Sequence, residues 1–83
     1  MNIKVLGPGC ARCEELEKTV REIVALHQLD IQVEEVRDMK KIMQYSIMAT
    51  PALVINEKVV ISGRVPGRAE LESLIMTALA KEE

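Results

Sequence analysis

Hydrophobic residues recur along the chain at two spacings, which predict strands and helices in a definite order. Apolar runs of four to six residues, bounded by glycine, proline or polar residues, predict strands. Longer segments with apolar residues every three or four positions predict helices. The predicted strands are Ile3–Leu6, Ile31–Val36, Ala52–Ile55 and Lys58–Ser62, and the predicted helices are Cys10–Gln28, Met39–Tyr45 and Arg68–Ala80. The predicted order is therefore βαβαββα.

This order predicts an α/β fold, with a four-stranded mixed sheet and helices on both of its faces. Helices join the first three strands, so we expect these strands to be parallel and joined by right-handed crossovers. Asn56 and Glu57 form a tight turn between the last two strands, which predicts a hairpin with an antiparallel edge. A chain of 83 residues has room for one core, so we expect residues 1–83 to form a single domain.

Composition and charge exclude several classes of function. The net charge is −2, and lysines and arginines are scattered rather than grouped on one face, which argues against a nucleic-acid partner. No apolar run approaches the roughly 18 residues of a membrane span, and the apolar start of the chain is too short for a signal peptide. We therefore expect a cytoplasmic monomer with no membrane partner.

Two methionines on the second predicted helix raise the question of a copper-binding face. Met39 and Met43 are four residues apart. Methionines at this spacing on an amphipathic helix are typical of core packing. We therefore expect both side chains to point into the core.

The two cysteines, Cys10 and Cys13, form a C-x-x-C motif where the first strand gives way to the first helix. Residues three apart on a helix lie on one face, close enough for a disulfide. The unpaired N–H groups and the dipole at the start of a helix favour a thiolate over a thiol. We predict that Cys10 is the exposed nucleophile and that Cys13, one turn further in, resolves the mixed disulfide.

Residues next to the two cysteines are expected to support this chemistry. Arg12 lies between them and is expected to stabilise the thiolate, whereas Glu14 and Glu15 act in the opposite sense. Gly9, like Gly7, allows a tight turn and lets the backbone of a partner approach.

A small apolar docking surface beside the cysteines is also expected. Ala11, Pro8 and Pro66 are predicted to form its rim, because they lie in or next to the loops at this point of the fold.

A metal site is the alternative interpretation of the C-x-x-C motif. Zinc normally takes four ligands. The single histidine, His27, lies about 21 Å from Cys13 along a helix, so it cannot complete a site with these cysteines in one chain. Two chains could supply four thiolates, and two thiolates alone could bind Cu(I). A metallochaperone-like module therefore stays open as an alternative.

Thr50-Pro51 precedes the third predicted strand. Proline has no N–H to donate, so it belongs at the start or the edge of a strand. The ordinary isomer of this peptide bond is trans. A cis bond would leave the backbone of Thr50 free to pair with an extended peptide by strand addition. The residues themselves leave both isomers open.

Taken together, these motifs resemble the thioredoxin superfamily, and most closely the small redox-active disulfide proteins of archaea and bacteria. The resemblance covers nearly the whole chain. It is carried by Cys10-Ala11-Arg12-Cys13 after the first strand, by the run from Met48-Ala49-Thr50-Pro51 to Asn56, and by the hairpin to Ser62-Gly63. It implies a thioredoxin-like fold of glutaredoxin size, a cis peptide at Pro51, attack by Cys10 and resolution by Cys13.

The same resemblance implies the activity of a protein disulfide oxidoreductase. The pair would cycle between dithiol and disulfide, with disulfide-containing proteins as substrates, an upstream reductase as electron donor and no cofactor or metal. Heavy-metal-associated domains also carry C-x-x-C after a first strand, but they run βαββαβ, so the predicted order favours the redox function. A redox-sensing adaptor, whose disulfide state controls partner binding, is not distinguished from an oxidoreductase by the sequence.

Overall fold

The structure, a computed structural model, describes residues 1–47 and 49–81. Its elements are β1 (Asn2–Leu6), α1 (Ala11–Leu26), β2 (Gln32–Val36), α2 (Met39–Met43), β3 (Ala52–Ile55), β4 (Lys58–Ser62) and α3 (Arg68–Lys81). This is the predicted order, with bounds within two residues of those predicted. Met48, the first residue of the motif around Pro51, lies outside the described residues. In the described ranges, no helix combines the length and apolar character needed to cross a membrane.

The four strands form one mixed sheet in the order β2-β1-β3-β4. Strands β1 and β2 are parallel, as predicted, and β4 is antiparallel to β3. Strand β3, however, is antiparallel to β1, with Leu6 opposite Ala52 and Ile3 opposite Ile55. The prediction of three parallel strands is therefore wrong for β3.

The α2 helix between β2 and β3 is too short by itself to carry the chain back along the sheet. A parallel β3 would start at the far end of the sheet, about 16 Å back along five residues of strand. The α2 helix has five residues and rises only about 7.5 Å. Strand β3 begins at the end of the sheet where β2 finishes and runs back from there, with Ala52 opposite Leu6.

The sheet buries a different apolar cluster on each face. The α1 and α3 helices cover one face, where their side chains pack on alternate residues of β1 and β3. The buried members of this larger cluster are Ile3, Val5, Leu16, Val20, Ile23, Ile31, Leu53, Ile55, Ile61, Leu71 and Ile75. The other face has a smaller cluster of Leu6, Val36, Ala52 and Val54, closed by Ile42 of α2. Both faces thus carry helices, as predicted.

The α2 helix buries one side chain, and the prediction that Met39 and Met43 point into the core is wrong. Ile42 is buried against the sheet, whereas Met39 is 52% exposed and Met43 is 72% exposed. Successive helical residues are rotated by about 100°, so Met43 lies a quarter turn from Ile42. One short turn of helix contacts the sheet along a narrow stripe, and both methionines lie outside it.

The turn between β3 and β4 places two non-glycine residues in the left-handed region, with φ of 50° at Asn56 and 67° at Glu57. The Glu57 carboxylate accepts hydrogen bonds from Lys4 Nζ at 2.8 Å and from the Tyr45 hydroxyl at 3.2 Å. Lys4 Nζ also donates to the Tyr45 hydroxyl at 2.9 Å. These contacts tie the turn to β1 and hold two residues in a conformation that ordinarily favours glycine.

Candidate active site

The loop between β1 and α1, residues 7–10, begins with a glycine that cannot be enlarged. The N–H of Gly7 donates to the carbonyl of Val36 at 3.0 Å, so its backbone is fixed at the ends of two parallel strands. A Cβ atom on Gly7 would overlap the Sγ atom of Cys13. Cys13 therefore packs directly on the backbone of the loop, in space that only glycine leaves open.

Gly9, the residue before Cys10, has a φ of 94°, a conformation that L side chains rarely adopt. A Cβ there would lie 3.2 Å from Nη1 of Arg37. Arg37 follows β2 and forms an ion pair with Glu35, and its guanidinium lies 4.0 Å from the carboxylate of Glu14 in the first turn of α1. Arg37 thus joins the end of β2 to the start of α1, next to the cysteine loop.

Cys10 is the N-cap of α1, with extended backbone angles of −74° and 166°. Its carbonyl accepts the first helical hydrogen bond, from the N–H of Glu14 at 3.0 Å. Its Sγ accepts a hydrogen bond from the N–H of Cys13 at 3.4 Å. A thiolate in this position satisfies an N–H group that the start of a helix otherwise leaves unpaired.

The two thiols differ in exposure and in acidity. Cys10 is exposed, whereas Cys13 is 1% exposed, and their sulfur atoms lie 2.7 Å apart. The hydrogen bonds from the Cys13 side chain and backbone lower the pKa of Cys10. Burial, followed by the hydrogen bond to Cys10, raises the pKa of Cys13. Of the two thiols, the exposed Cys10 is therefore the one that ionises more readily.

Thr50 and Pro51 lie at the same end of the sheet as the cysteines. Ala52 is opposite Leu6 in the antiparallel β1–β3 pairing, so Pro51, the residue before Ala52, lies beside Gly7, the residue after Leu6. The Cys13 sulfur packs on Gly7. The Thr50–Pro51 peptide bond is cis. The carbonyl of Pro51 accepts a hydrogen bond from the N–H of Gly63 at 2.8 Å. Within residues 1–47 and 49–81, the N–H and C=O of Thr50 have no hydrogen-bond partner.

A sequence profile of the thioredoxin domain matches residues 1–76. The chain belongs to the thioredoxin domain family. Among curated proteins, it is 33% identical over 75 residues to a thioredoxin of Methanothermobacter thermautotrophicus, a match that covers 90% of this chain and 97% of the relative. A probable thioredoxin of Archaeoglobus fulgidus is 33% identical over 80 residues, covering 93% of this chain and 87% of the relative. A thioredoxin of Methanocaldococcus jannaschii is 23% identical over 77 residues, covering 93% and 88%.

These matches confirm the resemblance and the thioredoxin-like α/β fold predicted from the motifs. Membership of the family, together with the Cys10–Cys13 pair, supports function as a thiol–disulfide oxidoreductase. In general terms, the family also suggests disulfide-containing substrates and a reductase as partner. The order of elements and the family match both favour this function over that of a metal carrier.

The three residues predicted to form the rim of this thioredoxin-family site differ in their exposure. Ala11 and Pro8 are exposed next to Cys10, but Pro66 is buried, so the prediction that Pro66 forms part of the exposed rim is wrong. Arg12 is exposed between the two cysteines in sequence and, in the parts of the chain that the structure describes, its guanidinium has neither a hydrogen bond nor an ion pair. The cation expected to support the thiolate is therefore free to contact another molecule.

His27, the histidine that sequence analysis set apart from the cysteines, joins two helices instead. Its Nε2 lies 2.7 Å from Glu72 on α3, at the end of α1 remote from Cys10. Within the described ranges, no three histidine, cysteine or acidic side chains lie together in a way that could hold a metal ion.

Arg37 is the contact of the cysteine loop that sequence analysis missed. It lies 27 residues from Cys10 and belongs to no recognisable motif. The parallel pairing of Leu6 with Val36 places the residue after β2 beside the loop after β1. The predicted parallel pairing of β1 and β2 could have indicated this contact, since neighbouring parallel strands end at the same edge of a sheet.

Proposed function

We propose that this thioredoxin-family protein reduces disulfide bonds in partner proteins, with Cys10 as the nucleophile and Cys13 as the resolving thiol. The observation that carries the proposal is the asymmetry of the pair. Cys10 is exposed and has a lowered pKa, whereas Cys13 is buried and has a raised pKa. The thiolate, not the thiol, is the attacking species, so the exposed sulfur is the one prepared to react.

The first step is attack of the Cys10 thiolate on one sulfur of a substrate disulfide. A bond forms between Cys10 and that sulfur, and the substrate S–S bond breaks. The second substrate sulfur leaves as a thiolate and takes a proton from solvent. The product is a mixed disulfide between Cys10 and the substrate.

The second step releases the substrate. Cys13 loses its proton and attacks the sulfur of Cys10, 2.7 Å away before the reaction. The Cys10–Cys13 disulfide forms, and the remaining substrate sulfur leaves as a thiolate and is protonated. Two electrons have passed from the cysteine pair to the substrate, and a dithiol donor must return them to complete the cycle.

We propose that Thr50 and Pro51 hold the substrate beside Cys10. Among the described residues, the N–H and C=O of Thr50 have no partner, which supports this role, since a free backbone donor and acceptor can pair with an extended peptide as an added strand. Such pairing would align the substrate disulfide with the exposed sulfur without requiring a particular substrate sequence.

Three residues next to the pair have supporting roles in the proposal. Gly9 keeps side-chain atoms away from the path of a substrate backbone, and Ala11 offers a small apolar surface. Arg12 adds positive potential near the Cys10 thiolate. The exposure of Ala11 and Arg12 supports both assignments.

The proposed setting is that of a glutaredoxin-sized oxidoreductase acting as a monomer in the cytoplasm. A reducing compartment keeps such a thiol pair available for attack on substrate disulfides. The proposal includes an upstream reductase or dithiol as electron donor and no bound cofactor.

Trapping of mixed disulfides tests the proposed roles. Cys13→Ser retains the nucleophile and loses the resolving thiol, so it should accumulate mixed disulfides with substrate proteins that dithiothreitol releases. Cys10→Ser retains only the buried thiol and should trap none. The adducts are counted by non-reducing electrophoresis and assigned by mass spectrometry. Equal trapping by both variants, or trapping by Cys10→Ser alone, would overturn the assignment.

A further inference from the structure

Three arginines lie at the end of the molecule that carries the cysteines, and two of them are neutralised by partners. Arg37, beside Gly9, is paired with Glu35 and lies near Glu14. Arg64 comes directly after Gly63, whose N–H donates to the Pro51 carbonyl. The Arg64 guanidinium donates two hydrogen bonds, of 2.9 and 2.5 Å, to the Glu70 carboxylate. Neither of these charges is available to a substrate without breaking an existing pair.

Arg12 is the exception among these three arginines. In the ranges 1–47 and 49–81 its guanidinium has no hydrogen bond or ion pair, and the residue is exposed two positions after Cys10. Its position also disfavours a role in helix stability. It is the second residue of α1, where the positive end of the helix dipole makes a cation unfavourable.

We propose that Arg12 is a specificity-determining residue that selects substrates with a carboxylate close to the disulfide attacked by Cys10. This inference rests on the proposed function and concerns the choice of substrate. The preferred partner is a protein segment with an aspartate or glutamate next to the reacting cysteine.

The chemistry of the guanidinium explains why the selected group is a carboxylate. Its planar set of donors matches a carboxylate and can form two parallel hydrogen bonds with it. Arg12 is exposed at the start of α1, two residues after the Cys10 that attacks the substrate. A substrate side chain next to the attacked sulfur therefore meets this end of α1, where the guanidinium is available to it. Charges at an exposed rim act mainly on the rate of association, and salt screens their effect.

Two peptide disulfides that differ in one residue test the inference. Both carry the same disulfide, with glutamate beside the reactive cysteine in one and lysine in the other. Reduced wild-type protein should reduce the glutamate peptide about threefold to tenfold faster than the lysine peptide at low salt. Arg12→Glu should reverse this preference, and 0.5 M sodium chloride should reduce it in both proteins.

Lys18→Glu is the matched control. Lys18 is also exposed on α1, its ammonium group has no partner in the described residues, and it lies about 9 Å further along the helix axis. The substitution changes the net charge by the same amount, so it separates a local contact from the overall field. The preference for the glutamate peptide should persist in this variant.

The ratio of the two rates isolates substrate selection from any change in the reactivity of Cys10. A change in the Cys10 thiolate affects both peptides equally and cancels in the ratio. Equal rates for the two peptides with the wild-type protein, or an equal change in the ratio in both variants, would overturn the inference. Failure of the wild-type protein to reduce either peptide, or a neutral third one, would instead overturn the proposed function.

Discussion

The two ends of the sheet accommodate backbone with positive φ in opposite ways. The cysteine end comprises residues 7–13 with Thr50 and Pro51, and the hairpin end comprises Asn56 and Glu57 with Lys4 and Tyr45. Each end contains backbone with positive φ, at Gly9 in one and at Asn56 and Glu57 in the other. Glycine removes the side chain at the cysteine end, whereas at the hairpin end side chains hold the turn in place.

The two ends also differ in how many polar groups are left without partners. At the hairpin end, Lys4, Tyr45 and Glu57 bind one another, and the Asn56 side chain accepts a hydrogen bond from the N–H of Asn2 at 3.2 Å. At the cysteine end, the guanidinium of Arg12 and the backbone of Thr50 have no partner in the described residues. This contrast agrees with the proposed function, in which the cysteine end binds another molecule and the hairpin end stabilises the fold.

Gly7→Ala should have the largest effect on activity and stability, because its Cβ would fill the space that the Cys13 sulfur occupies. Moving a reacting group by about 1 Å can cost on the order of 100-fold in rate. We therefore expect disulfide reduction to fall by about 10- to 100-fold, and overpacking to lower the free energy of unfolding by about 1–3 kcal/mol. Insulin reduction and urea denaturation measure the two effects.

Gly67→Ala is the control for this substitution. A Cβ on Gly67 has no other atom within 4 Å, so it needs no rearrangement. Activity should be unchanged, and the free energy of unfolding should change by at most about 1 kcal/mol. A Gly7→Ala variant as active as this control would show that the sulfur does not depend on the missing side chain.

Gly9→Ala should have a smaller effect, through its backbone. An L residue at a φ of 94° is strained, which should lower the free energy of unfolding by about 1–2 kcal/mol. The new Cβ also approaches the guanidinium of Arg37, but a flexible side chain can move away. The loss should therefore persist in an Arg37→Ala background, as measured by a double-mutant cycle in urea. Disappearance of the loss in that background would assign it to the contact with Arg37.

The pH dependence of alkylation should distinguish the two cysteines. Because the hydrogen bond from Cys13 lowers the pKa of Cys10, the rate of Cys10 alkylation should rise with pH at a midpoint below that of a free cysteine. Cys13→Ala removes this donor, so the midpoint should move to higher pH. Ionisation of Cys10 stabilises the fold above its unfolded-state pKa, and this contribution is lost as the pH falls through the folded-state value. An unchanged midpoint in Cys13→Ala would contradict the stated cause.

Much of the fold and of the cysteine site could be predicted from the sequence, because the local signals agree with the fold. The apolar spacing gave the seven elements, and the C-x-x-C motif at a strand–helix junction indicated the exposed Cys10 and the inner Cys13. The Asn56-Glu57 pair indicated the tight turn. These features depend on residues that are close together in the chain, where residue type and spacing determine the conformation.

The wrong and missing predictions depend on distant parts of the chain. The direction of β3 depends on the end of the sheet at which the connection through α2 delivers the chain, which the residues of β3 do not encode. The exposure of Met39 and Met43 follows from the narrow contact of α2 with the sheet. The contact of Arg37 with Gly9 and that of Cys13 with Gly7 exist only once β1, β2 and α1 are assembled.

Lys4→Met should give the smallest effect, confined to the hairpin end. It removes the hydrogen bonds to Glu57 and Tyr45 while keeping the apolar stem, so Tm should fall by a few degrees and disulfide reduction should be unchanged. Lys58→Met is the control, since the side chain of Lys58 has no hydrogen bond or ion pair in the described residues. Loss of activity in Lys4→Met would show that the two ends are not independent.

Titration of the cysteine pair in defined redox buffers tests the central claim most directly. The metal-free protein is equilibrated at each potential, and its free thiols are alkylated and counted by mass. The account predicts one reversible two-electron transition, between about −270 mV, typical of a reductant, and about −120 mV, typical of an oxidant, with Cys10 and Cys13 joined within one chain. Thiols that stay free throughout, or that oxidise only between chains, would contradict the account.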